Sequence, residues 1–401
     1  MATFSIANAN EQNAFKRTYA KLSDTVYNSR NHTTSQIKKN NELKGTSKFV
    51  YLPLSFSGGV GSGTLPTAGI RDYAQAQISA KKVYARVNID RETIKAGEDD
   101  VGSFIRSLKH QIESAVESFA RNDSRIFFGQ GDGSLGTIAA GGVSGTNPYV
   151  CTFAAGYNLA NFEEKDLVNI ETGNTDPFLV DLVDEQSDGT LDVTVTRQSG
   201  SQVPAATDEF FMQGSEDNDP NGLGNVTDAT SSTLYGVTVA RRWQSTQVDA
   251  SSATLTTDLM NQTMLTIEKN CNTAPNMIVT SYAQYQKLLE LLEDRKEYTL
   301  EPRYVPKSLK ATLGFSGIQY MSTMGPIPII QERFCPDDRM YFLNKDQIIR
   351  YHRPGGISWF RDDGSIWLRE VDSDTYEARY GGYYDNFIVP TFQGRIDALT
   401  T

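Results

Sequence analysis

Histidine is nearly absent from this 401-residue chain: only His32, His110 and His352 occur. One lies in a polar N-terminal stretch, one in a helical pattern and one in a strand pattern, so each reads as a structural histidine. A histidine-based triad or metal site has little to draw on. No H-E-x-x-H, nucleophile-elbow or P-loop motif occurs either. Cys151, Cys271 and Cys335 are widely spaced, odd in number and without a partner at metal-ligand spacing, which reads as three reduced thiols. No apolar run approaches the ~20 residues of a membrane span. The opening MATFSIANANEQNAFKR is polar where a signal peptide carries its apolar stretch, so a soluble protein kept in a cytosol is expected. Without an export signal, the N-x-S/T triplets at Asn31, Asn225 and Asn261 carry no weight.

Basic residues are missing from the middle of the chain. Residues 151–235 hold two Lys/Arg against sixteen Asp/Glu, while residues 1–50 hold eight against three; the whole chain carries −11. The central block therefore reads as an insertion with its own surface. So acidic a chain is not a dedicated nucleic-acid binder, because phosphate attraction relies on clustered Lys/Arg. The basic N-terminal stretch is the exception. It suits contact with nucleic acid or an acidic neighbour, and equally a solvated terminus.

With 38% hydrophobic residues the chain can bury a core in two or three domains. The first ~45 residues are polar and lack a sustained apolar period, which predicts an extended arm. KFVYLPLSF (48–56), the glycine-rich SGGVGSGTLPTAG and the alternating KVYARVNID (82–90) predict two strands of a projecting hairpin. From residue 100 to 128, Phe104, Ile105, Leu108, Ile112, Ala115, Val116 and Phe119 recur at helical spacing behind Glu98, Asp99 and Asp100. A helix of that length is on the order of 40 Å long. The acidic block reads as small and all-β, with an Asp188-Gly189 hairpin signal between PFLVDLV and TLDVTVTR. A mixed α/β region follows from about residue 252, and the chain closes β-rich.

Two motifs resemble sites. GDGSLG at Gly131, Gly133 and Gly136 matches a dinucleotide fingerprint in form, but follows a helix where the motif must precede one. Asp217, Asp219, Asn221 and Asp228 have the spacing of an EF-hand calcium loop, although Pro220 interrupts it and strand patterns flank it. They form a weak candidate metal site beside the plainer reading of a solvated acidic loop. Acidic pairs such as Asp362 and Asp363 are uninformative among 49 carboxylates. No catalytic residue and no cofactor is expected.

In order and texture these segments resemble the major capsid proteins of tailed bacteriophages, whose Hong Kong 97-type fold is shared with encapsulin shells and the floor of herpesvirus capsids. KFVYLPLSF, the glycine tip and KKVYARVNIDRETIKAG resemble that family's extended loop, and SFIRSLKHQIESAVESFARNDSRIFFGQGDG its spine helix. PNMIVTSYAQYQKLLELL resembles its axial domain, and RMYFLNKDQIIRYHRPGGISWF with WLREVDSDTYEARYGGYYDNFIVP its closing strands.

The resemblance implies an α+β fold divided into an N-terminal arm (1–45), an extended loop (46–92), a peripheral domain with the spine helix (93–140 and 336–378), an acidic β-rich insertion (148–236) and an axial domain (237–335 and 379–401). It implies a structural protein, not an enzyme. Subunits would assemble through hexamers and pentamers into an icosahedral shell that encloses double-stranded DNA without reading its sequence. Assembly contacts are then expected from Lys48, Tyr51, Arg71, Lys81 and Arg86 on the loop and from Phe104, Leu108, Ile112 and Phe119 on the helix. No charged helical pre-segment opens the arm, so an uncleaved N-terminus and a separate scaffolding protein are expected, together with a portal and a decoration protein. The site would be the virion, assembled in the host bacterial cytoplasm. Two alternatives stay open: an encapsulin-like compartment or other virion protein, and a secreted β-rich sugar-binding or hydrolytic protein, which the three tryptophans and the missing signal weaken.

Overall fold

The computed structural model describes residues 32–43, 45–56, 62, 64, 65, 67, 71–90, 101–293, 319–322, 325–361, 366–370 and 373–400. The expectations placed on residues 1–31, on most of the glycine tip, on Glu98 to Asp100 and on Asp362 and Asp363 lie outside them.

A helical turn α1 (His32–Ser35) and strand β1 (Lys38–Asn40) lead into β2 (Ser47–Phe56), β3 (Arg71–Ser79) and β4 (Lys81–Asp90). The long helix α2 (Val101–Phe128) follows. Its apolar stripe buries Ala120 together with Ile112, Val116, Phe119, Ile126 and Phe127, the last five each worth roughly 1.5–3 kcal/mol relative to exposure. Asp123 stands in the same stripe and is fully buried, an arrangement that needs a partner.

Next come β5 (Ser134–Gly145), β6 (Tyr149–Phe153), β7 (Leu167–Ile170), β8 (Pro177–Glu185), β9 (Leu191–Arg197) and β10 (Glu209–Met212), which close into a barrel in the order β10-β5-β6-β9-β8-β7. The alternation of Leu191, Val193 and Val195 with polar residues directs the apolar set inward. There Phe153, Phe162, Phe178 and Phe210 fill the barrel, with Phe153 and Phe210 edge to face at 5.1 Å. These side chains make the barrel's interior a packed core.

After the short helix α3 (Leu223–Val226) and the small strands β11 (Thr233–Leu234) and β12 (Val237–Thr238), the chain builds a second α/β layer. It comprises β13 (Thr246–Asp249), α4 (Thr257–Cys271), β14 (Met277–Thr280), α5 (Tyr282–Glu293), β15 (Gln319–Ser322), β16 (Gly325–Gln331) and β17 (Met340–Leu343). Thr256 caps α4 by accepting from the Leu259 amide at 3.2 Å, and Asn272 ends it in the left-handed region at φ 56°. The closing strands are β18 (Ile348–His352), β19 (Ser358–Trp359), β20 (Leu368–Arg369), β21 (Thr375–Ile388) and β22 (Gly394–Asp397).

Two six-stranded sheets result. One runs β13-β22-β17-β14-β16-β15; in the other, β21 is the hub that pairs β18, β19, β20 and β4. This corrects the expected hairpin. KKVYARVNID pairs with β21, Val87 opposite Ala378, and the partner of KFVYLPLSF is RDYAQAQIS, Tyr51 opposite Gln75. Alanine and glutamine are weak strand formers, so β3 carries little signal of its own. It forms because Ala76 and Ile78 are buried against the body and the Gln77 amide donates to the Tyr235 carbonyl at 2.9 Å.

Candidate assembly surface

The β2–β3 hairpin has two unlike faces. On one, Val50, Leu52, Ala74, Ala76 and Ile78 pack on the main core. On the other stand Phe49, Tyr51 and Tyr73, exposed at 53%, 68% and 56%. Register places Pro53 opposite Tyr73 and Phe49 opposite Gln77, so the three rings share one surface. A cluster of exposed aromatics on a two-stranded ribbon is the kind of surface that another protein covers.

Of the residues singled out from sequence whose side chains are described, Tyr51 belongs to this patch. Lys48 turns inward, 2.8 Å from Glu42 and 4.5 Å from the centre of the Tyr351 ring. Lys81 donates to the Asp217 carbonyl at 2.7 Å, and Arg86 pairs with Glu370 at 2.6 Å and Glu377 at 3.0 Å. Ile112 and Phe119 are corrected as contact residues, because both are buried in the chain's own core and have no surface to offer a neighbour. The side chains of Arg71, Phe104 and Leu108 lie outside the described residues. Phe49 and Tyr73 were missed; the alternation of Phe49, Tyr51 and Pro53 along β2 was the available signal.

The calcium spacing is also corrected. Asp219 pairs with Arg125 of α2 at 3.0 Å, Asn221 bonds to Asp385, and Asp228 accepts from the Thr230 amide at 2.9 Å. These side chains face separate partners, and α3 interrupts the span. Among the described residues no group of three His, Cys, Asp or Glu is arranged to hold a metal. The segment is instead a strap that fastens the barrel. It runs beside the barrel's entry at van der Waals limits: a Cβ on Gly133 would meet the Ser215 carbonyl oxygen at 2.2 Å, and one on Gly222 the Gly129 oxygen at 2.4 Å. Gly131 and Gly133 both have φ of +86°, so the GDGSLG glycines serve close approach and backbone shape.

Under the strap lies a buried polar network. Arg350 pairs with Asp123 at 2.8 Å with both side chains fully buried, and its Nε donates to Asn386 at 2.7 Å. The Tyr384 hydroxyl donates to Asp123, and the tyrosine ring lies 4.7 Å from the guanidinium. His352 beside it is pushed down to about 4 by burial and by Arg350, so it is neutral. Asp385 is pushed up to about 6 by burial, against the opposing hydrogen bonds from Asn221 and Asn386.

These two shifts act in opposite senses with pH. Unfolded His352 takes up a proton near its ordinary 6.5, whereas the folded ring resists until about 4. Its stabilising contribution is therefore complete above 6.5 and lost as pH falls to 4, on the order of 3 kcal/mol. Folded Asp385 holds its proton up to about 6 while the unfolded carboxyl ionises near 3.8, so stability falls as pH rises through that window. Urea unfolding between pH 4 and 7 is expected to show His352→Leu gaining on the native chain as pH falls, and Asp385→Asn losing on it. Offsets from the native chain that stay constant across that range would contradict both assignments.

The three thiols are not reactive centres. Burial pushes Cys151 up to about 12 and Cys335 well above its ordinary value, and half-buried Cys271 is also raised. No described helix is long and apolar enough to cross a membrane.

A long helix packed on a sheet hub, a second α/β layer, an inserted barrel and a ribbon with an aromatic face make up the Hong Kong 97-type fold. The cyanophage A-1(L) capsid asymmetric unit is similar with a TM-score of 0.53 at 13% identity, covering 91% of this chain and 92% of that one. That likeness shows the fold. The model of the SU10 major capsid protein family matches residues 192–357. Over those residues the chain is similar to the major capsid proteins of that family. More distant similarities, which add no argument, are to Mycobacterium phage Bobi (TM-score 0.44, 7% identity, 91% and 89% covered) and to the SrpI encapsulin complex of Synechococcus elongatus (0.46, 7%, 91% and 86%). No curated protein matches the chain.

Proposed function

We propose that this chain assembles through hexamers and pentamers into an icosahedral shell around double-stranded DNA, inside the host bacterial cytoplasm, and that it catalyses no reaction. The observation that carries this reading is the capsid fold combined with the uncovered aromatic face of the β2–β3 ribbon. Phe49, Tyr51 and Tyr73 are the contacts it offers a neighbouring subunit. The surrounding division is an arm (1–45), a loop (46–92), a peripheral domain (93–140 and 336–378), an inserted domain (148–236) and an axial domain (237–335 and 379–401). Acidic surfaces leave the packaged DNA repelled and mobile, held by the closed shell and not by base contacts. A scaffolding protein, a portal and a decoration protein are the expected partners, and the acidic barrel is the surface a decoration protein would use.

The double substitution Tyr51→Ser with Tyr73→Ser tests it. Both side chains are exposed, so the unfolding free energy of the isolated subunit should change by only about 0.5 kcal/mol. Shell yield in sedimentation and electron microscopy should fall at least tenfold. Native yields of shells from this variant would remove the hairpin from the assembly interface.

A further inference from the structure

Strand β4 is an edge of its sheet, and among the described residues it pairs with β21 alone. The pairing gives this part of the sheet two faces. Ala378, Tyr380 and Tyr384 turn toward α2 together with Val83 and Val87. On the other face, register sets Lys82 beside Tyr383, Tyr84 beside Gly381 and Arg86 beside Arg379. The Tyr383 ring stacks on Phe360 at 5.7 Å and 24°, and the Arg353 guanidinium lies 5.2 Å from its centre. Tyr84 is 57% exposed. Arg86 and Arg379 share Glu377, and Arg86 also takes Glu370. Lys82 and Arg353 form no ion pair among the described residues. A chain that carries −11 thus presents a cationic, aromatic plate with two charges unanswered.

The opposite chemistry stands at the tip of the barrel's β8–β9 hairpin. From residue 166 to residue 196 the sequence contains no Lys or Arg. Asp184, Glu185 and Asp188 are exposed, and Asp184 stands directly opposite Asp192 across the two strands. Like charges in that position destabilise a strand pair. The Gln186 side-chain amide donates to both, at 3.3 Å to Asp184 and 3.1 Å to Asp192, and no described cation pairs with any of the four acids. Leu182, two residues before Asp184 on the same outer face, is 52% exposed.

We propose that the β8–β9 tip of one subunit docks on the β4–β21 plate of a neighbouring copy, its carboxylates toward Lys82 and Arg353 and its Leu182 toward Tyr84. The inference rests on the shell reading above. A single chain leaves both sets of charges unpaired, so they meet between copies. Charge complementarity selects the partner, since the tip relieves its own repulsion only against a cationic surface. Tip and plate are unlike surfaces, and every copy carries one of each. The contact is therefore heterologous and passes from subunit to subunit around a closed assembly.

The test uses shells assembled, without nucleic acid, from equal amounts of light and isotopically heavy purified subunits. A carbodiimide condenses a lysine amine with a touching carboxylate into an amide and is itself hydrated to a urea. Peptide mass mapping then separates links between chains from links within one chain. Lys82 joined to residues 184–192 of the other isotope is expected. Asp184→Lys with Glu185→Lys should lower shell yield at least fivefold, and adding Lys82→Glu with Arg353→Glu should bring it back to within twofold of the native chain. Native shells in which Lys82 is not linked to the tip, or is linked to it only within one chain, would overturn the contact and leave the shell reading standing. So would a yield indifferent to the tip reversal, or one that the plate reversal lowers further. A native chain that forms no shells would overturn both. Because the map of native shells alone can overturn the contact, the test survives a poorly folding variant.

Discussion

Replacing Arg350 by Leu is expected to lower the unfolding free energy of the isolated subunit by about 3–5 kcal/mol. Three observations set that size. The guanidinium is fully buried, its partner Asp123 is fully buried, and the Tyr384 hydroxyl already leans on the same carboxylate. Without Arg350 the fully buried Asp123 carboxylate loses the guanidinium at 2.8 Å, and the penalty would be its desolvation more than the lost attraction. The double replacement Asp123→Leu with Arg350→Leu removes both charges and is expected to be the milder variant, recovering at least 2 kcal/mol in a double-mutant cycle. Urea unfolding measures all three proteins. A single variant that loses under 1 kcal/mol, or a double variant no better than the single, would show that the pair does not join α2 to β18. Since this pair links elements 227 residues apart, its loss should also delay the appearance of shells by leaving fewer folded subunits.

Gly133→Ala is expected to cost about 2–5 kcal/mol, from a left-handed backbone and a clash with the Ser215 carbonyl. Gly141→Ala separates the two effects. Gly141 also has positive φ, at +76°, but open space around its missing Cβ, so it should lose only the ~1–2 kcal/mol of backbone cost. The damage from Gly133→Ala should also be local. Entry and exit of the barrel are held together there by the Asp217 amide on the Asp132 carbonyl at 2.7 Å, while the core around Phe153 and Phe210 is untouched. Limited proteolysis should therefore cut residues 213–222 first and leave the barrel folded and still joined to α2. Equal losses at positions 133 and 141, or cleavage inside the barrel, would contradict the role of the glycines as a mount.

The strongly periodic elements were legible in the sequence. The stripe from Ile112 to Phe119 announces α2, and Leu191, Val193 and Val195 announce a half-buried strand. What the sequence hid were choices made by distant partners. The strand β3 has a weak pattern of its own and is selected by the surface that accepts Ala76 and Ile78. The spacing of Asp217, Asp219, Asn221 and Asp228 looked like a cation loop because a strap that must reach Arg125 and Asp385 also needs short polar side chains at close intervals. Asp123 sits on the apolar face of its helix, an anomaly visible in the sequence, but nothing near it points to Arg350. Ile112 and Phe119 are buried for a related reason: a helical apolar stripe is first of all a core stripe, and the exposed aromatics are on the alternating face of β2.

Electron microscopy of the purified protein, with mass from light scattering, tests the central claim most directly. Uniform closed icosahedral shells, or hexamers and pentamers that close into shells when a scaffolding protein is added, are the predicted result. A folded monomer that stays monomeric at every concentration and with every scaffold would contradict the account.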